Sequence, residues 1–314
     1  MQIEKNDLTL RKRPFTMDDG NKYIRFDWAM KRMLRDKANF GVLEGLLTVL
    51  LDETVRIQQI LESESNQENA YDKFNRVDIK AENSKGEIII VEIQLTRELY
   101  YLQRILYGVS KAITEHINLG DRYNQVRKVY SISIIYFDLG KGADYLYHGF
   151  TQFVGVHTHD TLKISSRDKK LIEMKSPEEI FPEYYIVRVN EFNDVARTPL
   201  EEWLDYIKYG RIKDDTTAPG LQEAKKRLQV MKMSKTERQA YDRHIDAIMV
   251  QNDVLDTAKR EGLEEGRAEG IEKGRAEGAK ENNINIARKM KSMGLPMETI
   301  IQITGLDSEN VKDL

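Results

Sequence analysis

Asp78 and Glu92 are the residues of this 314-residue chain whose setting most demands chemistry. They lie in N-R-V-D-I-K-A-E-N-S-K-G-E-I-I-I-V-E-I-Q-L, residues 75–95, which reads as a hairpin. Val77, Ile79 and Ala81 alternate with polar residues, and Asn83-Ser84-Lys85-Gly86 supplies turn chemistry. Residues 88–91 then restart as a β-branched strand. A loop of about two to four residues centred near Lys85 sets Asp78 opposite Glu92. Side chains alternate between faces, so Asp78, Glu92 and Gln94 share a face with Ile88 and Ile90. Two opposed carboxylates on a partly covered face repel. A divalent cation is the simplest partner for them. The competing reading is the wet face of an amphipathic hairpin. Against it, I-I-I-V-E-I-Q-L is apolar on both faces, as a central strand is.

The following segment carries a second set of groups. Tyr100, Arg104, Tyr107 and Lys111 fall at i, i+4, i+7 and i+11 of a helix expected over 99–118, so they share one side. Interleaved aromatic and basic groups suit phosphate contact and base or sugar packing. A half-buried helix with snorkelling basic ends would show the same pattern. His157 and His159 have one-face strand spacing but no accompanying carboxylate or cysteine cluster, and read as a surface pair. A phosphate-cradling Gly-x(4)-Gly-Lys loop and a serine-hydrolase elbow are absent, which leaves ATPase and esterase readings without support.

The elements that must position these groups follow from hydrophobic pattern. Residues 26–35 read as a helix, with Phe26, Met30, Met33 and Leu34 on one side, and Asn39 is placed to cap a second helix over 40–51. Strands are expected over 55–61, 76–83 and 87–96, and over 129–137, where V-Y-S-I-S-I-I-Y-F is almost wholly apolar. Further strand candidates are 145–153 and 184–189. Helix, three-strand meander, helix, strand is an α/β order with a mixed sheet.

Composition bounds the rest. The chain is 40% hydrophobic, enough for a sizeable core, and has no cysteine, which excludes disulfides and thiolate chemistry and fits a reducing cytoplasm. The first residues lack an apolar signal core, and the greasiest stretch, 40–51, contains Glu44 and is too short to span a bilayer. A net charge of −3 means that any nucleic-acid binding rests on a local basic patch.

The tail changes character. Gly262, Gly266, Gly270, Gly274 and Gly278 recur every four residues among Glu, Lys, Arg and Ala. Each interior glycine costs a helix about 1 kcal/mol relative to alanine. The stripe therefore reads either as a surface for close helix–helix approach or as a partly frayed linker helix. Residues 284–314 read as three short helices separated by Gly294 and Gly305, with helix-turn-helix spacing over 296–311. The would-be recognition helix carries Asp307, Glu309 and Asp313 against Lys312, which argues against phosphate contact and for a protein–protein or oligomerisation role.

At D-x(13)-E-x-Q, Asp78 to Gln94, the chain resembles the PD-(D/E)XK nuclease superfamily, and more closely its Rpn branch of recombination-promoting nucleases and transposases. F-D-W-A-M-K-R-M-L around Asp27, V-E-I-Q at 91–94, Q-R-I-L-Y-G at 103–108, the E-G-x-x tail and the I-T-G-L ending agree, so the resemblance covers most of the chain. It implies a restriction-endonuclease-like α/β core over 23–192, after a leader at 1–22. A helical extension over 193–256, a charged helix over 257–283 and the small helical segment 284–314 follow. It implies a DNA endonuclease in which Asp78 and Glu92 hold Mg2+ or Mn2+. Gln94 stands where the superfamily has a catalytic lysine. Gln can hydrogen-bond a water but carries no charge. Asp27 is a candidate third metal ligand, with Glu44 the alternative. Arg104, Tyr107 and Lys111 would face DNA, and the tail would join copies of the chain.

Overall fold

The computed structural model describes residues 23–32, 34, 36–61, 77–168, 171–193 and 195–313. The leader read over 1–22, and Arg76 at the start of the second expected strand, lie outside them. The chain divides between Arg238 and Gln239 into two units.

The first unit is α/β. It runs α1 (Phe26–Arg32), α2 (Phe40–Leu51), β1 (Ile57–Leu61), β2 (Ile79–Asn83), β3 (Ile88–Gln94), α3 (Tyr101–Thr114) and β4 (Val129–Ile135). It continues β5 (Leu146–Gly149), β6 (Ile164–Asp168), β7 (Leu171–Lys175), β8 (Glu183–Arg188), α4 (Pro199–Tyr209) and α5 (Leu221–Arg227). Six strands form one mixed sheet in the order β1-β2-β3-β4-β8-β5, and β6 and β7 pair separately. The first three strands are an antiparallel meander, while β3, β4 and β8 are parallel. This is the α/β arrangement expected from the order of elements, and it accords with a restriction-endonuclease-like core.

The continuous apolar runs account for the centre of the sheet. Every residue of β4 is buried, as is all of β3 except half-buried Gln94. Parallel strands covered on both faces need apolar residues on both. The β2–β3 turn is built by Asn83, whose Oδ1 accepts hydrogen bonds from the backbone N–H groups of Lys85 (3.0 Å) and Glu87 (2.9 Å). Gly86 completes it at φ 77°, a conformation that disfavours a side chain.

Helix α3 covers the face to which the even-numbered residues of β3 point. Ile88 and Ile90 pack with Val109 and Ala112 of α3, Val129 and Val77, and Tyr101 and Ile105 pack with Ile135. The remaining helices make a second layer among themselves: Phe26 of α1 meets Trp203 and Tyr206 of α4 edge-on, each with centroids 5.9 Å apart. Glycines Gly45 and Gly220 let α2 and the start of α5 touch, because a Cβ on Gly45 would lie 2.3 Å from the Gly220 Cα. The expected Asn39 cap differs. Asp36 accepts from the Ala38 N–H at 2.9 Å and starts a short 3-10 turn that leads into α2, and the Asn39 side chain makes no cap bond.

The second unit is helical. A single helix, α6 (Lys235–Ser292), begins just before the division and runs through the positions near 256 and 283 where composition changes. Its end, α7 (Met297–Thr304) and α8 (Ser308–Lys312) enclose a small core of Ala287, Ile300, Leu306 and Val311. Gly294 and Gly305 occupy the left-handed positions between these helices. Among the described residues no helix is both long and apolar enough to cross a membrane.

Candidate active site

Residue pairing in the β2–β3 hairpin brings the two carboxylates level. Ile79 pairs with Val91 and Lys80 with Ile90, so the next pair outward is Asp78 and Glu92. Asp78 sits in the bend before β2. Its Oδ2 accepts a hydrogen bond from the Ile93 N–H at 2.7 Å, and its Oδ1 lies 4.0 Å from Lys31 Nζ of α1. The site is therefore at the carboxyl end of β3, the end at which open parallel sheets bind ligands.

Glu92 points toward α3 and is level with Ser133 of β4, and both are buried. Burial pushes its carboxyl up to about 7, an effect opposed by the Arg104 guanidinium and reinforced by the charges of Asp78 and Glu98. Arg104 reaches Glu92 from α3 through Nη2 and Glu98 through Nη1. Tyr101, also on α3, is buried beside Glu92, and burial followed by that charge pushes its phenol well above the usual range, so it stays neutral.

Gln94 is held by its neighbours in the following loop. Its Nε2 donates to Glu98 Oε1 at 2.9 Å and to the Thr96 carbonyl at 3.1 Å. Lys80, a further candidate cation, is engaged elsewhere, donating to Glu115 Oε2 at 2.6 Å. The positive charge next to Glu92 thus comes from helix α3, not from the hairpin.

Of the residues singled out from sequence, Asp78, Glu92, Gln94 and Arg104 come together. Tyr107 and Lys111 are half-buried on the same helix, up to about 10 Å further along its axis. Tyr100, the N-cap of α3, is 67% exposed. Asp27 is fully buried in α1, where Arg25 Nε donates to its Oδ1 at 2.9 Å, and its charge is felt at Tyr136, just beyond β4. Glu44 serves β1, accepting from the Ile57 N–H at 2.8 Å and from Arg56 at 2.9 Å. His157 and His159 are exposed. Sequence reasoning missed Glu98, Tyr101 and Lys31. Lys31 had a signal, since it stands four residues after Asp27 in the D-W-A-M-K stretch.

Among the described residues no three His, Cys, Asp or Glu side chains converge as a metal cage. Two carboxylates and the Gln94 carboxamide oxygen still fit a hard divalent cation of the kind that keeps several waters and completes its shell with substrate phosphate. Concentrated negative charge at Glu92 is what such a cation would relieve.

No curated protein and no solved structure matches the sequence. A family model does, described as PD-(D/E)XK nuclease family transposase, over residues 24–258. That span holds the sheet, the Asp78/Glu92 pair, Gln94, Glu98 and Arg104. It is well over half of the sequence, and the chain belongs to the PD-(D/E)XK nuclease family transposases.

Proposed function

We propose that this protein is a metal-dependent DNA endonuclease, with Asp78 and Glu92 as the ligands of Mg2+ or Mn2+. The observation that carries the reading is the placement of these two residues level with each other at the carboxyl end of β3, with Arg104 beside Glu92. Hard oxygen donors favour Mg2+ or Mn2+ over Zn2+. Bound there, the ion would supply charge stabilisation at the scissile phosphate and a water of lowered pKa. The chain supplies the rest. The Ile93 N–H fixes the Asp78 carboxylate through Oδ2, and Lys31 Nζ lies 4.0 Å from Oδ1. Glu92 is held in a buried wall that excludes water on the β4 side. Gln94 orients a water by hydrogen bonding and takes no proton. Arg104 offsets negative charge, and Tyr107 and Lys111 extend the contact surface for the phosphate backbone. Glu98, which shares Arg104 with Glu92, is the acidic group beside the pair, whereas Asp27 is buried in α1 against Arg25.

A second reading is nucleic-acid binding without cleavage. It is favoured by the absence of a charge at Gln94, where the superfamily pattern has lysine. A plasmid-nicking assay separates the two. Nicking with Mg2+ or Mn2+ that EDTA stops and that Asp78→Ala abolishes supports the nuclease. Retarded DNA migration without nicking, in either metal, supports the binding module.

The tail of this reading is assembly. The glycines of α6 have open space around them within the chain, which suits the close approach of a helix from a second copy.

A further inference from the structure

Glu98 lies outside every motif read from the sequence, yet one of its oxygens organises two site residues. Oε1 accepts from Gln94 Nε2 at 2.9 Å and from Arg104 Nη1. The second proton of Gln94 Nε2 goes to the Thr96 carbonyl at 3.1 Å. A carboxylate and a backbone carbonyl can only accept. A flipped amide would set oxygen against oxygen at both contacts, so the orientation of Gln94 follows from its partners. Both donors are consumed, and the end that Gln94 can offer a reactant is its carbonyl oxygen. A carboxamide oxygen accepts a hydrogen bond or coordinates a hard cation, and takes no proton. It cannot imitate a lysine ammonium.

The same carboxylate fixes the cation. Arg104 is a planar fork whose two terminal nitrogens go to different acids, Nη1 to Glu98 and Nη2 to Glu92. Without Glu98 the fork has lost the partner that holds its position on Glu92, and the amide has lost the partner that holds its carbonyl outward. We infer that Glu98 is a positioning residue of this site, which divides the work of the missing lysine between two groups: Gln94 as acceptor and Arg104 as cation. The chemistry it serves rests on the nuclease reading. The orientation of Gln94 does not.

Side-chain amide NMR on the full-length chain, with 15N-labelled glutamine and Gln94 assigned by its loss in Gln94→Ala, tests the orientation directly. In the parent, the two Gln94 amide protons should be well separated in shift and exchange with water at least about tenfold more slowly than those of exposed glutamines. Glu98→Ala should collapse them to the exposed values, and Glu98→Asp should restore part of the separation. In steady-state cleavage, Glu98→Ala should lower kcat by about 10- to 100-fold with KM for DNA changed far less, and Glu98→Asp should recover much of it. Gln94 protons that exchange as fast as exposed ones in the parent overturn the inference, whatever the variants do. So does a Glu98→Ala protein with the parent's amide signals, or one whose lost rate follows a lost folded fraction. A parent that never cleaves DNA refutes the nuclease reading alone, because the amide signals still decide whether Glu98 holds Gln94.

Discussion

Arg104 of α3 and Glu92 of β3 form an ion pair across the helix–sheet interface, which puts a cation beside a motif whose own cationic position is occupied by Gln94. Glu98 shares that cation, so only part of its charge is available to a phosphate. Arg104→Ala should reduce DNA affinity and lower the slope of log K against log salt by about 0.9 at most, the value for one full phosphate contact. Arg104→Lys should keep most of the slope and lose cleavage, because a point charge cannot bridge two carboxylates as the guanidinium fork does. Binding measured by fluorescence anisotropy from 50 to 300 mM salt checks this. An unchanged slope, accompanied by a lower melting temperature, assigns Arg104 to packing.

Asp78 and Glu92 should differ in what they contribute to the folded state. Loss of either should abolish metal-dependent nicking. Their metal-free stabilities should part. Asp78 Oδ2 satisfies the Ile93 N–H at 2.7 Å, and Asp78→Ala removes that acceptor, at a cost of about 1–2 kcal/mol. Glu92→Gln keeps the shape and removes a buried charge, so its metal-free stability at pH 8 should equal or exceed the parent's. Denaturant melts in EDTA compare them. A Glu92→Gln protein less stable than Asp78→Ala would mean that the Arg104 pair outweighs burial, contrary to the raised carboxyl at Glu92.

The pH dependence follows from the same group. A carboxyl raised to about 7 in the folded chain binds a proton that the unfolded chain, near 4.5, has already released. Stability from this group is therefore full below about 4.5 and lost as pH rises through 7, by about 3 kcal/mol at most. Metal needs the ionised form, so affinity should move the other way, weakening about tenfold per pH unit below 7. Mn2+ titration by calorimetry at pH 6 and pH 8, in buffers of different ionisation enthalpy, should show proton release at pH 6 and little at pH 8. Equal affinities at both would place the metal elsewhere. Glu92→Gln should flatten the stability profile between pH 5 and 8.

What was legible in the sequence depends on how local its cause is. The Asp78–Glu92 pairing could be read because Asn83 and Gly86 set a tight turn and strand alternation does the rest. The placement of Arg104 was legible only by half. Spacing places it with Tyr107 and Lys111 on one side of a helix, but not that this side includes an edge turned onto Glu92. That depends on which sheet face α3 covers. Glu98 was invisible because it sits in the loop between β3 and α3, where no periodicity applies and the loop's path decides what the side chain meets. The β6–β7 pair was missed because I-S-S-R-D holds a single apolar residue and shows no alternation, so the short I-E-M-K alternation after it had no evident partner. The continuity of α6 was obscured by its glycines, although the surrounding Glu, Lys, Arg and Ala are strong helix formers.

Those glycines also make the assembly reading testable. All five, Gly262 to Gly278, are exposed in α6, and a methyl group at each would meet nothing within 4 Å beyond the adjoining residues and backbone of its own helix. Within one chain, alanine at each position should therefore be tolerated and should favour the helix by about 1 kcal/mol per site. Four-residue spacing exceeds a helical turn by about 40° per step, so the stripe winds slowly and presents a continuous path to a second helix. Methyl groups along that path would hold the partner away. Changing all five to alanine should raise the helix's thermal stability at low concentration while lowering the oligomeric mass seen by light scattering. Deleting residues 258–314 should lower the mass in the same way and leave the sheet and its carboxylates folded. If paired copies act on opposite strands, both changes should shift products from double-strand breaks toward nicks. An alanine variant that keeps the parent's mass removes the stripe as an interface. A truncation that also keeps it would show that residues 258–314 play no part in assembly.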